Sequence, residues 1–306
     1  MATDPKHWQV ALVGYGEVGR ILAEDLRAQR VHVNAYDTKL QGEAGEPMRE
    51  HALRYEVQLA ESHARAVRDA DLVISAVTAS QTEAAARDCA PALRTGTFFL
   101  DFNSASPGSK GRAAEFIDCV GGRYVEGAVM TSVPPHRIKV PLLLGGPEAA
   151  ALMPLINGLG FASTVCSERL GVASATKMCR SVMIKGLEAM VIESFTTARA
   201  YGVEDAVIAS LYETFPGIDW EQQGAYFFQR VIEHGRRRSE EVREVAETVS
   251  EIGLTPWSAR GTADRQAWVA DLADDGLFGR RGSPGFARSA DWRTEADRLL
   301  AHVKTP

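Results

Sequence analysis

The first half of the chain alternates between short apolar runs and amphipathic stretches. "HWQVALVG" reads as a strand, "EVGRILAEDLRAQ" has helical spacing, and "VHVNAYD" is a strand again. The charged, Gly- and Pro-containing "TKLQGEAGEPMRE" reads as a loop; a weak strand near Tyr55–Gln58 and a short helix around Ser62–Arg68 follow. "DLVISAV" (71–77) is continuously apolar, as expected of a strand buried on both faces. "QTEAAARDCAPAL" suits a helix, "TFFLDF" a strand, "SPGSKGRAAEFIDCV" a helix, and "RYVEGAVM" and "KVPLLLGG" close the pattern as strands. Strands alternating with helices predict βαβ units and a mostly parallel sheet with right-handed crossovers.

The rhythm changes after about Ser167. Val182, Leu187, Met190, Val191 and Ser194 recur at helical spacing within Arg169–Ala200, and Gly202 offers a stop. "VEDAVIASLYETF" and "RVIEHGRRRSEEVREVAETVSEIG" read as further helices, and "DWRTEADRLLAHVKTP" as a short one with a frayed tip. A length of 306 residues suits two domains. The expected fold is α/β: a doubly wound sheet over 1–167, then an all-α domain over 168–306 entered by a long interdomain helix.

Composition narrows the classes. Apolar residues make up 45% and charged residues 24%, ordinary for a soluble globular protein. No window approaches the roughly 18 uncharged apolar residues of a membrane span. "MATDPKHWQV" has no basic head followed by an apolar stretch, so no signal peptide is expected. Cys89, Cys119, Cys166 and Cys179 lie far apart without a CxxC pair, and the histidines show no HExxH. Neither a disulfide framework nor a metal site is expected, and a reducing cytoplasm fits. The net charge of −6 argues against nucleic acid as a partner. The basic runs "HGRRR" (234–238) and "GRRG" (279–282) read as a solvated helix face and a loop.

Candidate chemistry begins at "VALVGYGEVGR", which carries Gly14-x-Gly16-x-x-Gly19 between an apolar strand and an amphipathic helix. Gly14 permits the tight turn, Gly16 lets a pyrophosphate approach the backbone, and Gly19 lets helix and strand pack closely. With Tyr15, Glu17 and Val18 these residues form the expected cradle of a Rossmann domain, where the helix N-terminus faces the phosphates. Asp37 falls near the ~20-residue offset at which a carboxylate accepts from the adenosine ribose. That charge would repel a 2′-phosphate and favours NAD, while Lys39 keeps NADP open. Ligands in such sheets sit at the carboxyl ends of strands, which nominates Val77 and Thr78, and Asn103 and Ser104. Ser104 is alternatively a helix N-cap ahead of Pro107.

The helix after the nucleotide domain holds a polar stripe: Lys177, Arg180, Ser181, Lys185 and Glu188. Val182, Met183, Gly186, Leu187 and Met190 cover the opposite side. The plain reading is an amphipathic helix with a wet face. Position offers another, because the cleft between domains is the usual substrate site of two-domain dehydrogenases.

Here the chain resembles the β-hydroxyacid dehydrogenases, relatives of 3-hydroxyisobutyrate dehydrogenase and 6-phosphogluconate dehydrogenase. "VGYGEVG" is similar to the family's glycine fingerprint, and "LDFNSASP" (100–107) to its aspartate–small–Ser/Thr–x–x–Pro segment, with Ser104 near the nicotinamide end. "VEGAVMTSV" (125–133) occupies the place of a substrate-binding stretch, and "GVASATKMCRS" (171–181) resembles the segment bearing the catalytic lysine, which falls on Lys177. The resemblance implies that Lys177 is the general acid/base on the substrate hydroxyl while hydride moves to or from nicotinamide.

Two positions depart from the family pattern. Met130-Thr131-Ser132 stands where relatives have Ser-Gly-Gly, and Ser181 where they have Asn. Thr131 and Ser132 offer hydroxyls to a carboxylate substrate, Arg180 a guanidinium, and His234 a further polar group. The expected activity is an NAD(P)-dependent oxidoreductase acting on a small 3-hydroxy acid or its carbonyl form. The alternatives are oxidative decarboxylation of a sugar acid, imine reduction, or a non-catalytic NAD-binding protein. The expected partners are a small carboxylate and a second copy of the chain, with neither nucleic acid nor membrane.

Overall fold

The computed structural model describes residues 4–286 and 291–303. The chain divides into two compact units, Met1–Met178 and Cys179–Pro306.

The first unit holds β1 (Gln9–Val13), β2 (His32–Tyr36), β3 (Gln58–Leu59), β4 (Leu72–Ser75), β5 (Phe98–Asp101), β6 (Arg123–Val129), β7 (Pro141–Gly145) and β8 (Ala162–Ser167). They form one sheet in the order β3-β2-β1-β4-β5-β6-β7-β8. Neighbours are parallel from β3 through to β6; β7 runs antiparallel to β6, and β8 is parallel to β7. The strand order reverses between β1 and β4, and the turns after these two strands open at that switch point.

Helices α1 (Glu17–Ala28), α2 (Glu46–Arg54), α3 (His63–Val67), α4 (Thr82–Cys89), α5 (Pro107–Asp118), α6 (Val133–His136) and α7 (Ala149–Gly158) accompany the sheet. Leu12, Ile74 and Leu100 point to one face and pack with Leu22 and Leu26 of α1 and Leu152 of α7. Val13, Val73 and Phe99 point to the other and pack with Ala66 of α3, Ala86 of α4 and Ala113 of α5. Burial on both faces explains why the central strands read as unbroken apolar runs.

Several elements differ from expectation. The stretch expected as a loop contains α2, whose Pro47 sits in the first turn, where a missing N–H is tolerated. Met48 and Ala52, one turn apart, are its buried residues. α7 and β8 were not foreseen. β8 is an edge strand rich in Ser and Thr with only Ser163 buried, and Pro154 lies inside α7, so neither carries a clean periodic signal.

The long helix is α8 (Val172–Tyr201), and the first unit takes in its opening turns through Met178, beyond residue 167. Their anchor is Glu126 on β6, which accepts from the backbone N–H of Ala173 and the hydroxyl of Ser174.

The second unit holds the remainder of α8 with α9 (Glu204–Thr214), α10 (Trp220–Glu251), α11 (Trp257–Asp274) and α12 (Trp292–Val303). Gly202 ends α8 with a φ of 69°, as its position predicts. The expected helical tip at 304–306 lies outside the described residues. The core gathers Phe195, Phe227, Phe228, Val231, Val269, Trp292 and Leu299. Gly224 is needed there, since a Cβ would stand 2.8 Å from the Phe195 ring. α11 was not anticipated.

Beyond Arg180, which is exposed, the polar stripe of α8 reverses the wet face of its plain reading. Ser181, Lys185 and Glu188 are buried, whereas Met183 is 71% exposed and Met190 61%. Lys185 and Glu188 tolerate burial because α10 and α11 supply their partners. Lys185 Nζ donates to Glu241 at 2.5 Å, Arg238 pairs with Glu188, and Gln266 Nε2 donates to Glu188 and to the Lys185 carbonyl. Arg238 thus departs from the solvated face expected of "HGRRR", while Arg236 and Arg237 stay exposed.

Candidate active site

The first unit positions its candidate groups at the carboxyl ends of the parallel strands. Gly14 follows β1 with a φ of 96°, and a Cβ there would lie 2.4 Å from the Ala76 carbonyl oxygen. Only glycine fits. A Cβ on Gly19 would meet the Gly14 carbonyl oxygen at 2.1 Å, so this glycine lets α1 seat against the turn. Gly16 is the opposite case, because a Cβ there meets nothing within 4 Å. It is also the N-cap of α1 and provides no side-chain cap. The first N–H groups of α1 therefore face an open approach suited to a dinucleotide's phosphates.

Asp37, at the end of β2, ties this loop down. One carboxylate oxygen accepts from Tyr15 N at 2.9 Å and the other from Lys39 N at 2.9 Å. Asp37 thus acts as a turn residue, and its remaining lone pairs leave it able to accept from a ribose as well. The Tyr15 side chain is fully buried and bonds to His51 Nδ1 at 2.8 Å, so Tyr15 serves the loop through its backbone. His51 Nε2 pairs in turn with Glu24 at 3.0 Å, and Glu24 with Arg137 at 2.7 Å. Burial pushes the Glu24 carboxyl up, but the hydrogen bonds from His51 and Arg137 outweigh it and hold the group below its ordinary value. Glu17 is exposed, Val18 is half-buried, and both lie in the first turn of α1.

The ends of β4 and β5 are joined by Asn103. Its Oδ1 accepts from Val77 N at 2.8 Å and its Nδ2 donates to Ser75 Oγ at 3.0 Å. Thr78 is exposed beside them. Ser106, not Ser104, caps α5, accepting from Ser109 N at 3.2 Å. Ser104 is thereby free of the capping role and half-buried. Lys177 Nζ donates to Ser104 Oγ at 2.5 Å across 73 residues of sequence.

Beneath this pair lies a network that composition does not announce. Asp101 and Lys110 are each 1% exposed and pair at 3.0 Å. Tyr124 donates its hydroxyl to Asp101 at 2.6 Å, and Asp101 accepts from Asn103 N at 2.8 Å. Burial, reinforced by the Asp101 carboxylate, raises the Tyr124 phenol well above its ordinary value, so it remains a donor. The only signal for this network and for Glu126 was charge within otherwise apolar elements: "FFLD", "YVEGAV" and the lysine of "GSKGRAA".

Thr131 and Ser132 follow the carboxyl end of β6. Thr131 is exposed, and Ser132 precedes α6 without a side-chain capping bond. Arg180, Ser181 and His234 belong to the second unit. There Arg180 is exposed, Ser181 is buried, and His234 is half-buried with its imidazole pKa lowered by burial. Among the described residues no group of three or more His, Cys, Asp or Glu could hold a metal ion, and no helix is long and apolar enough to cross a membrane.

With this geometry in place, comparison with known proteins becomes specific. Residues 9–152 match the NAD binding domain of 6-phosphogluconate dehydrogenase, and residues 198–269 match a domain of unknown function, DUF1932. A conserved hypothetical protein from Sinorhizobium meliloti 1021 is 34% identical, covers 96% of each chain and superposes with a TM-score of 0.76. An uncharacterized 28.5 kDa protein of Methanothermus fervidus is 26% identical over 255 residues, 81% of this chain and 93% of its own. The 3-hydroxyisobutyrate dehydrogenase of Mycobacterium tuberculosis shares the fold at 16% identity, with a TM-score of 0.67 over 96% of this chain and 99% of that one. The glycine cradle accordingly belongs to an NAD(P)-binding domain, and the chain belongs to the β-hydroxyacid dehydrogenase family.

Proposed function

We propose that this protein is an NAD(P)-dependent oxidoreductase that interconverts a small 3-hydroxy acid and its carbonyl form, with Lys177 as the general acid/base. The observation that carries the reading is the bond from Lys177 Nζ to Ser104 Oγ, just beyond the end of β5. It puts an amine and a hydroxyl together at the strand ends, where ligands of such sheets bind.

A bound nicotinamide accepts or supplies the hydride. The chain's own groups handle the proton. In the oxidising direction the Lys177 amine takes the proton of the substrate hydroxyl as the carbonyl forms; in the reducing direction its ammonium returns it. Ser104 keeps Nζ oriented and is the group a substrate hydroxyl would replace or join. Gly14, Gly16 and Gly19 would hold the pyrophosphate, Asp37 would accept from the ribose, and Val77 and Thr78 border the strand ends. Thr131 and Ser132, just past the end of β6, are the proposed contacts of the substrate carboxylate. The M. tuberculosis relative, whose structure carries L-serine, makes small hydroxy acids the first panel to test.

Lys177→Met tests the assignment of roles. Turnover of 3-hydroxyisobutyrate with NAD is expected to fall at least about 10²-fold, the contribution of a positioned proton donor. NADH affinity, read by fluorescence, should stay within about threefold. Turnover close to that of the unaltered protein would remove Lys177 from the mechanism.

A further inference from the structure

Glu126 is a carboxylate buried to 0% exposure in the middle of an apolar strand. Burying a charge is costly unless it is paired. Among the described residues, however, no Lys, Arg or His lies within ion-pair distance of it; the pairs found there involve other acids. What holds it is the start of α8. Oε1 accepts from Ala173 N at 3.0 Å and Oε2 from Ser174 Oγ at 2.7 Å. Ala173 and Ser174 are the second and third residues of that helix, where backbone N–H groups lack partners and the dipole favours an anion.

The surrounding strands leave room for this contact. On β7, Gly145 is the register partner of Glu126, and a Cβ at Gly145 would stand 2.2 Å from Glu126 Oε1. The carboxylate therefore occupies space that a side chain would otherwise fill. Gly171, with a φ of 90°, turns the chain into the helix just before the anchored residues.

Lys177 lies four residues after Ala173, so both sit on one face of α8, one turn apart. Whatever fixes Ala173 fixes the base of the Lys177 side chain. We propose that Glu126 is a positioning residue that sets Lys177 Nζ against Ser104 through the first turn of α8. The proposal rests on the reading of Lys177 as the proton-transfer group, but it makes a separate claim about what places that group. A misplacement of about 1 Å costs a proton-transfer step on the order of 10²-fold.

The test compares Glu126→Asp, Glu126→Gln and Ser174→Ala in the full-length protein. Aspartate is one methylene shorter and does not reach the helix. Glutamine keeps an acceptor for Ala173 N and a polar group for Ser174. Ser174→Ala removes one of the two donors and is the milder variant should aspartate impair folding.

Lys177 reactivity is read by competitive acetylation with acetic anhydride and mass spectrometry, which needs no substrate. In Glu126→Asp, Lys177 labelling is expected to rise at least about fivefold as Nζ leaves Ser104, and amide exchange of residues 172–178 by about tenfold. Ser174→Ala is expected to raise labelling about twofold, and Glu126→Gln to keep it within about twofold of the unaltered protein. NADH affinity should stay within about threefold in all three, and kcat on 3-hydroxyisobutyrate should fall as labelling rises while KM changes little. Unchanged or lowered Lys177 labelling in both Glu126→Asp and Ser174→Ala overturns the proposal, as does an equal loss of NADH affinity, which would mark Glu126 as general support for the sheet. An active Lys177→Met protein would instead sink the proton-transfer role and leave the labelling result standing, so the two failures are distinguishable.

Discussion

Asp101, the last residue of β5, and Glu126, at the middle of β6, are register partners on neighbouring parallel strands, and each anchors one half of the Lys177–Ser104 pair. Asp101 accepts from Asn103 N at 2.8 Å and so shapes the turn that presents Ser104. Glu126 holds the turn of α8 that presents Lys177. Two residues 73 positions apart meet because two buried acids stand side by side in the sheet.

The Asp101 side makes a stability prediction. Lys110→Met leaves the Asp101 carboxylate buried with Tyr124 and Asn103 but without its cation. Removing one partner of a buried pair costs about 3–5 kcal/mol. Urea denaturation followed by circular dichroism should show the first transition at markedly lower urea, and NADH should partly restore it by binding the folded form. An unshifted transition would mean that Tyr124 and Asn103 suffice to hold the charge.

Two glycines of one fingerprint should behave differently. Gly14→Ala forces a positive φ on alanine and sets a Cβ 2.4 Å from the Ala76 carbonyl, so it should destabilise the fold by about 1–3 kcal/mol and abolish NADH binding. At Gly16 a Cβ meets no protein atom within 4 Å. Gly16→Ala should therefore leave thermal stability within about 0.5 kcal/mol while weakening NADH at least about tenfold. Unimpaired binding in Gly16→Ala would place the pyrophosphate elsewhere.

The contrast between these glycines shows what was legible in the chain. Spacing alone placed Gly14, Gly16 and Gly19 between β1 and α1, because the turn, the open approach and the tight packing each demand a missing side chain. The two-part architecture was equally readable, since strands buried on both faces lose their polar positions while helices keep theirs. The two buried acids were not legible. Asp101 sits in the resemblance segment and Glu126 in the presumed substrate stretch, yet nothing local says which chain segment each will meet. α8 misled for the same reason: a polar stripe is wet only if no other helix answers it, and α10 and α11 answer Lys185 and Glu188. Pairings of this kind are tertiary and carry no period.

Asp37 makes a cofactor prediction. Its carboxylate is fixed by Tyr15 N and Lys39 N, so it cannot swing away from an incoming 2′-phosphate without loosening the glycine loop. NAD should bind more tightly than NADP. Asp37→Asn keeps an acceptor and removes the charge; the ratio of NADP to NAD affinity should rise about tenfold. Equal affinities in the unaltered protein would show that Lys39 already compensates.

Glu24 sets a pH dependence. Its folded pKa lies below the ordinary 4.5 because the bonds from His51 and Arg137 outweigh burial. A depressed carboxyl contributes stability that is fully present above the unfolded value and disappears as pH falls through the folded one. Thermal denaturation of Glu24→Gln should therefore lie below that of the unaltered protein at pH 7, with the gap closing below about pH 4. A gap that persists at low pH would mean that Glu24 acts through shape alone.

The outward face of α8 bears on assembly. Met183 and Met190, seven residues apart on one helix face, are 71% and 61% exposed, and Ile184 beside them is 40% exposed. Such a stripe, opposite a buried polar one, leaves apolar area in water that a second copy of the same stripe would cover under two-fold symmetry. The homodimer expected from the sequence is proposed on this basis. Sedimentation should give twice the chain mass of 33.2 kDa. Met183→Glu combined with Met190→Glu places four like charges in such an isologous contact and should shift the protein to monomer at micromolar concentration. Cofactor binding should persist, since the cradle lies wholly within Met1–Met178. A monomer before any substitution, or a dimer untouched by the charges, would put the contact elsewhere.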